Sequence, residues 1–243
     1  MRLDQLLVER GFYDSRSRAR DAVARGTVTV DGAILTKPST AVPIKADITI
    51  ADTARAYVSR AALKLIAGLD AFGFDPAGRD CLDIGCSTGG FTQVLLERGA
   101  AHVVAVDVGH GQFHPDLIAD ARVALLEALN SRELDEDHLD GRTITGVVCD
   151  VSFISLKLAL PPALMLAAPG AFAVILVKPQ FEAGRLAIGK DGLLKQPEDA
   201  PRIADDLAAW LGDQPGWRVT GLIPSPIAGG DGTREYLLGG VKA

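Results

Sequence analysis

The sequence is short of cysteine, aromatic residues and long apolar stretches, and each shortage closes a class of function. Of its 243 residues only three are cysteine, Cys81, Cys86 and Cys149. They lie in or beside apolar runs, without the paired spacing of a zinc site or a disulfide framework. They read as reduced core thiols, which points to the cytoplasm, and no metal is expected. Aromatic residues make up 5%, too few for a broad base-stacking surface. No apolar run approaches the ~18 residues that a membrane span requires. The N-terminus, MRLDQLLVERGF, carries charge every few residues, unlike the apolar core of a signal peptide. Nor is any stretch amphipathic, basic and long enough to insert into a bilayer from its surface, which argues against a membrane-lytic role.

Positive charge is also scarce overall. The formal net charge is −6, which ordinarily argues against a nucleic-acid partner, but the average hides a segregation. The first sixty residues hold ten Lys and Arg against seven Asp and Glu, and the remainder holds fifteen against twenty-four. A segregated basic module can bind phosphate locally while the rest of the chain stays acidic. What the sequence has in quantity is aliphatic side chains: 48% of residues are hydrophobic, enough for a full α/β core and a small accessory domain.

In the first fifty residues, RLDQLLVERG places Leu3, Leu6 and Leu7 at helical spacing and ends at Gly11. Ser15 is placed to cap a second helix, in which Ala19, Ala22 and Val23 face inward and Arg16, Arg18, Arg20 and Arg25 face solvent before Gly26 stops it. TVTVDGAIL and ADITIAD then read as short strands, with Asp31 and Gly32 as a hairpin turn. The leading RLDQLL, the run SRSRARDAVARGTVTVDG and the following KPS resemble the S4 RNA-binding domain. That resemblance implies a module that docks on structured RNA through a basic helix face, with Arg2, Arg16, Arg18, Arg20, Arg25 and Lys37 as the RNA-binding candidates. Arginine forks suit phosphate oxygens, although an Arg-rich helix face also occurs simply as a solvated surface.

From Tyr57 a helical period runs through Val58, Ala62, Leu65, Ile66 and Leu69 to Gly73. The apolar runs CLDIG, HVVAVDV, GVVCDV and AFAVILVK follow, separated by helical or loop segments, which predicts a doubly wound parallel sheet. WRVTGLI and REYLLGG predict a closing hairpin at one sheet edge, after the helix PEDAPRIADDLAAWLG. The expected organisation is an N-terminal domain over 1–50, a linker over 51–57 and an α/β domain over 58–243.

The loop DIGCSTGGF, residues 83–91, lies between the first of these strands and a helix. Its glycines, Gly85, Gly89 and Gly90, permit a tight turn and close approach of a cofactor, but their spacing is not that of a dinucleotide fingerprint. Asp83 would repel a pyrophosphate and suits a cationic ligand carrying an amino group, such as S-adenosylmethionine; a cap for the loop or helix is the plainer role for it. Asp107, ending the next strand, can accept hydrogen bonds from both ribose hydroxyls and fits either S-adenosylmethionine or NAD. Ser87, Thr88 and Phe91 complete the cofactor candidates.

Asp150 and Lys178 end the runs GVVCD and AVILVK, where open α/β sheets place their ligands. A salt bridge between them is one reading; the other is catalytic, with Lys64 and Glu235 converging on the same crevice. Together with YVSRAALKL, DIGCSTGGFT, VVAVDVGHGQ, DVSFISL, LVKPQFE and SPIAGGDGTREYLL, these positions resemble the TlyA family, also called haemolysin A-like. Its catalytic domain is similar to FtsJ-like RNA 2′-O-methyltransferases. The resemblance spans nearly the whole chain. It implies a Rossmann-like S-adenosylmethionine-dependent methyltransferase sheet behind a small S4 domain, an rRNA ribose within ribosomal subunits as acceptor, and a catalytic set of Lys64, Asp150, Lys178 and Glu235. This chain has Ala61 and Ala62 where the family usually has paired glycines. It also has Arg234 and Tyr236 around Glu235, where Asn and Phe are usual.

A ribose hydroxyl is a poor nucleophile near neutral pH, so in-line attack on a sulfonium methyl needs alignment and a nearby base. Lys178 is the candidate base, oriented by Asp150. Lys64 in the same desolvated pocket would favour the neutral form of Lys178, and Glu235 would fix Lys64 or the ribose. Two other classes compete: an NAD-dependent oxidoreductase, disfavoured by the loop spacing, and a non-enzymatic RNA-binding protein, in which the charged cluster is purely structural.

Overall fold

The computed structural model describes residues 1–230 and 232–243. The chain divides into two compact units, Met1–Ala56 and Tyr57–Ala243, so residues 51–56 of the expected linker fold with the first.

In the first unit, α1 (Leu3–Glu9) and α2 (Arg16–Ala24) pack on a small antiparallel sheet of β1 (Val28–Val30), β2 (Ala33–Ile34) and β3 (Ile48–Ile50), ordered β2-β1-β3. Leu3, Leu6, Leu7, Ala19, Ala22 and Val23 are at most 1% exposed. Burial of each leucine contributes about 2 kcal/mol relative to leaving it in water. The Ser15 side chain accepts a hydrogen bond from the Arg18 backbone at 3.3 Å, capping α2 as expected. Asp31 and Gly32 both take positive φ, 48° and 80°, between Val30 and its partner Ala33. That is the two-residue turn whose twist matches a hairpin.

The second unit begins with an irregular stretch and then α3 (Ala62–Phe72). The sequence period predicted a helix from Tyr57. It starts later because the Ser59 hydroxyl accepts from the Ala61 backbone and the Val58 N–H donates to Gln93 Oε1, local bonds that compete with a first helical turn. The strands β4 (Asp80–Ile84), β5 (His102–Val106), β6 (Val123–Leu126), β7 (Ile144–Cys149), β8 (Phe172–Val177), β9 (Trp217–Pro224) and β10 (Tyr236–Lys242) form one sheet in the order β6-β5-β4-β7-β8-β10-β9. Strands β4 to β8 pair in parallel, and β10 runs antiparallel to both its neighbours, β8 and β9, which gives the expected closing pair. This is the Rossmann-like arrangement, with a reversed strand inserted next to the edge. β6 was not among the expected strands.

Helices α4 (Gly90–Glu97), α5 (Pro115–Ile118), α6 (Leu156–Ala159), α7 (Pro161–Leu166), α8 (Pro179–Glu182) and α9 (Ala200–Gly212) complete the unit. Two apolar clusters form its core, one of them joining α3 and α4 to β4, β5, β8 and β10. Gly68 sets the seat of α3: a Cβ there would lie 2.6 Å from Val174 Cγ1, so only glycine lets the helix settle so closely on β8. This seating carries Lys64 over the end of the sheet. The Lys242 ammonium donates to the carbonyls of Leu164, Met165 and Ala167, closing the C-terminal end of α7.

Candidate active site

Two lysine–carboxylate pairs stand at the carboxyl end of the parallel strands. Lys64 Nζ reaches from α3 to Glu235 Oε2, with both side chains buried. Lys178 Nζ, just past β8, lies 2.5 Å from Asp150 Oδ1, just past β7, and donates to Ser152 Oγ at 2.7 Å. Tyr236 pairs with Val177 across β10 and β8, so Glu235 and Lys178, the next residues outward, leave the sheet side by side. The two strand-end residues, Asp150 and Lys178, and the two expected to converge on them, Lys64 and Glu235, are thus brought to one locality, and each lysine has its own carboxylate. The Lys178–Asp150 salt bridge is present. It leaves both side chains partly open, 11% and 17% exposed, whereas the Lys64–Glu235 pair is sealed at 7% and 3%.

Beside Asp150 opens a cavity of about 540 Å³, lined by Gly85, Ser87, Asp107, Gln112, Asn130 and Phe153 among others. A smaller one of about 70 Å³ adjoins it at Gly85, Ser87 and Asp150, and its wall includes Thr88, Gly90 and Phe91. Gly85 takes φ +80° and sits so close to the Asp150 carbonyl that a Cβ would fall 2.8 Å from it; the turn after β4 and the end of β7 touch only because no side chain intervenes. Asp107 accepts from the Ser87 backbone at 2.8 Å and from the Gly109 backbone at 2.6 Å, holding the loops on both sides of the cavity.

Two of the expected cofactor residues do not line either cavity. Gly89 turns toward Phe113 and Leu117. Asp83 is fully buried beneath the loop, where Oδ2 accepts from Thr92 Oγ1 at 2.6 Å and Oδ1 has no hydrogen-bond partner. Burial pushes its carboxyl up to about 7; the Thr92 hydrogen bond opposes the shift and the nearby carboxylates Asp150 and Asp107 add to it.

Other residues of the site were missed. Ser152, which holds Lys178, stands two positions after Asp150, and a hydroxyl so close to a strand-end carboxylate was the available signal. Asn130 and Gln112 line the cavity from the segments after β6 and β5, and Asn130 went unnoticed because β6 itself was not recognised. Phe153 has φ +65°, is 90% exposed and lies 5.1 Å from the Phe181 ring. A bulky residue held in that conformation at a site mouth is costly, on the order of 1–3 kcal/mol. Glu182, in the LVKPQFE segment, accepts from Ser155 Oγ and the Leu156 backbone, so it braces the start of α6. All three cysteines are free and buried, and burial raises the Cys81 thiol to about 12. Among the described residues no group of three His, Cys, Asp or Glu is arranged to hold a metal, and no helix is long and apolar enough to cross a membrane.

The candidate RNA-contacting residues of the first unit are not equivalent. Arg25 grips Asp52 with two nitrogens, at 2.8 and 2.9 Å, and also Asp21 at 2.9 Å. Arg2 and Arg16 both bond the buried carboxylate of Asp4, which the Arg2 hydrogen bond above all holds down to about 2. Arg18 bonds the Arg55 carbonyl at 3.3 Å. Arg20 and Lys37 are exposed.

Residues 57–242 match the FtsJ-like methyltransferase family, and residues 1–48 match the S4 domain. The chain is 45% identical to the 16S/23S rRNA (cytidine-2′-O)-methyltransferase TlyA of Mycobacterium tuberculosis, over 98% of this chain and 88% of the relative. A solved structure from Streptococcus thermophilus, provisionally described as a hemolysin, is 36% identical and superposes with a TM-score of 0.77 over all of this chain and 88% of that one. A 1,6-didemethyltoxoflavin-N1-methyltransferase from Burkholderia thailandensis, 17% identical, shares the fold alone, with a TM-score of 0.51 over 76% of this chain and 80% of that one. Identity at this level along almost the full length, with both domains in the same order, makes this chain a member of the TlyA family, S4-bearing methyltransferases of the FtsJ-like type.

Proposed function

We propose that this chain transfers a methyl group from S-adenosylmethionine to a ribose 2′-hydroxyl of rRNA in ribosomal subunits. The observation that carries this reading is Lys178, partly open to solvent and held between Asp150 and Ser152 at the edge of the 540 Å³ cavity. The cavity suits the cofactor chemically. Asp107 keeps a free lone pair on each oxygen for ribose hydroxyls, Asp150 faces the same space as a counter-charge for a cation, and the unpartnered oxygen of Asp83 lies just below the loop. Gly85, Ser87, Thr88, Gly90 and Phe91 would cradle it, with Asn130 and Gln112 on the far wall. S-adenosylmethionine, when bound, supplies a methyl group already activated by a sulfonium, so the reaction calls for no metal.

The protein's task is alignment and proton management. In its neutral form Lys178 Nζ would take the 2′-hydroxyl proton as the oxygen bonds to the methyl carbon and the methyl–sulfur bond breaks, its electron pair staying on sulfur as a neutral thioether. Asp150, 2.5 Å away, stabilises the ammonium that forms. Lys64, fixed by Glu235, sets a second positive charge close by that steadies the oxygen during attack. Phe153 presents an exposed ring on which a splayed-out base can stack.

The S4 module, within the unit Met1–Ala56, would hold the RNA for the catalytic domain of Tyr57–Ala243. Arg18, Arg20 and Lys37 are best placed to meet phosphates, while Arg2, Arg16 and Arg25 also brace the module through Asp4 and Asp52. An enzyme with this substrate works in the cytoplasm. Transfer of labelled methyl to purified ribosomal subunits and to their extracted rRNA tests the proposal, with Lys178→Ala alongside. Incorporation that resists base hydrolysis at the labelled nucleotide, and that disappears in the variant, is the expected result. No incorporation into either subunit would overturn rRNA as acceptor.

A further inference from the structure

A second cavity, of about 560 Å³, opens on the other side of the catalytic residues, and the proposed chemistry makes no use of it. Its lining includes Gln180, Asp191, Leu194, Glu198, Thr233 and Arg234. Two residues of its lining are close neighbours of the lysine–carboxylate pairs along the chain. Gln180 follows Lys178 by two positions and Thr233 precedes Glu235 by two, and the Gln180 amide approaches Thr233 Oγ1 at 3.5 Å. The same two chain segments that deliver the catalytic side chains therefore turn their next residues into this cavity.

The lining has a definite chemistry. Leu193, Leu194 and Pro197 give it an apolar face. Asp191, Glu198 and the Gln180 carbonyl offer hydrogen-bond acceptors; one oxygen of Asp191 already accepts from the Leu193 backbone at 3.1 Å, which fixes the carboxylate in place. Arg234 is exposed and pairs with no described residue, although it stands directly beside Glu235. A free guanidinium at the mouth, acceptors inside and an apolar face are the complement of a nucleotide whose base carries an exocyclic amino group. Arginine suits the phosphate, and the carboxylates suit the amino edge of cytosine, adenine or guanine. Uracil, which shows carbonyl oxygens on both sides of a single N–H, would set its oxygens against the carboxylates.

Resting on the 2′-O-methylation reading, we infer that this cavity holds the base of the nucleotide adjoining the acceptor in the RNA strand. It selects an amino-bearing base, with Arg234 on the connecting phosphate. The cavity is thus a determinant of which sequence context is methylated.

The test is an NMR titration of the full chain saturated with S-adenosylhomocysteine, so that the cofactor cavity is filled. Cytidine 5′-monophosphate, adenosine 5′-monophosphate, uridine 5′-monophosphate and cytidine are added in turn, and the backbone amides of Leu193, Leu194, Thr233 and Arg234 are followed. The two amino-bearing nucleotides should shift these amides, with uridine 5′-monophosphate about tenfold weaker. In Arg234→Ala, cytidine 5′-monophosphate should bind no better than cytidine, and in Glu198→Gln the preference over uridine should shrink. Equal binding of the uridine nucleotide, or no response at these amides, would overturn the inference. Methyl transfer to subunits by the unmutated protein, measured on the same preparation, separates the two claims. Transfer without a selective response removes the cavity's role alone, and a selective response without transfer removes the rRNA reading alone.

Discussion

Both units of this chain bury acidic side chains against basic ones, but the first does so with arginine and the second, at its catalytic end, with lysine. Asp52 and Asp4 are held by Arg25, Arg2 and Arg16, several of the bonds forked. Glu235 and Asp150 are held by Lys64 and Lys178. Arginine keeps its proton under all ordinary conditions and fixes a carboxylate with planar geometry, so it serves as scaffold. Lysine is a point charge that burial and neighbours can persuade to release a proton. The choice of cation separates the pairs that only hold shape from those that can do chemistry.

The sharpest way to break this comparison is to exchange the cations. Lys178→Arg keeps the charge and the salt bridge to Asp150 but removes the base. It should cost on the order of 10²–10⁴ in kcat, with cofactor affinity, measured by calorimetry, nearly unchanged. Activity within tenfold of the parent would show that this lysine does no proton transfer. In the first unit, Asp52→Ala removes the forked bond of the largely buried Arg25 guanidinium, leaving it only Asp21, and takes a partner from the Tyr13 hydroxyl. A loss of roughly 3 kcal/mol is expected in denaturant unfolding of the full chain, confined to the transition of the first unit. Arg25→Lys keeps the charge there and loses only the fork, and should cost about 1 kcal/mol in the same assay; a cost matching that of Asp52→Ala would mean that geometry, not charge, carries the pair.

Asp83 provides the contrast of a buried carboxylate with no cation. Unfolded, it ionises near 4; in the native chain it keeps its proton up to about 7. Between those values the native state binds more protons, so this residue's contribution to stability declines as pH rises from about 4 to about 7. Asp83→Asn should flatten that part of the melting-temperature profile, and an unaltered slope would assign the pH response elsewhere. Asp4 and Asp52 work in the opposite sense: their folded pKa values are lowered, so their support is present above about 4 and is lost as the pH falls further.

Local signals in the sequence correspond to local features of the fold. Ser15 ahead of an Arg and Ala run, the Asp31-Gly32 pair and the leucine spacing of α1 each correspond to a feature formed by near neighbours. The features that escaped depend on distant partners. β6 is Val-Ala-Leu-Leu, dominated by residues that favour helix, and becomes a strand only through its pairing with β5. Arg25 looks like any solvent-facing helical arginine until Asp52, twenty-seven residues on, is folded against it. Within the site, the strand ends announced Lys178 and Asp150. The burial of Asp83 follows from how loops close over the sheet, which no spacing rule encodes.

The placement of β10 sets an order on how this protein matures. The last strand in the sequence lies inside the sheet, between β8 and β9, and it follows directly on Glu235. During synthesis, then, β9 has no partner and the edge of β8 stays bare until β10 emerges, which exposes an adhesive strand edge for that interval. Lys64 likewise remains without its counter-ion. Closure of the sheet and completion of the charged cluster thus become a single late event, so a chain released short of β10 loses its fold and its catalytic end together.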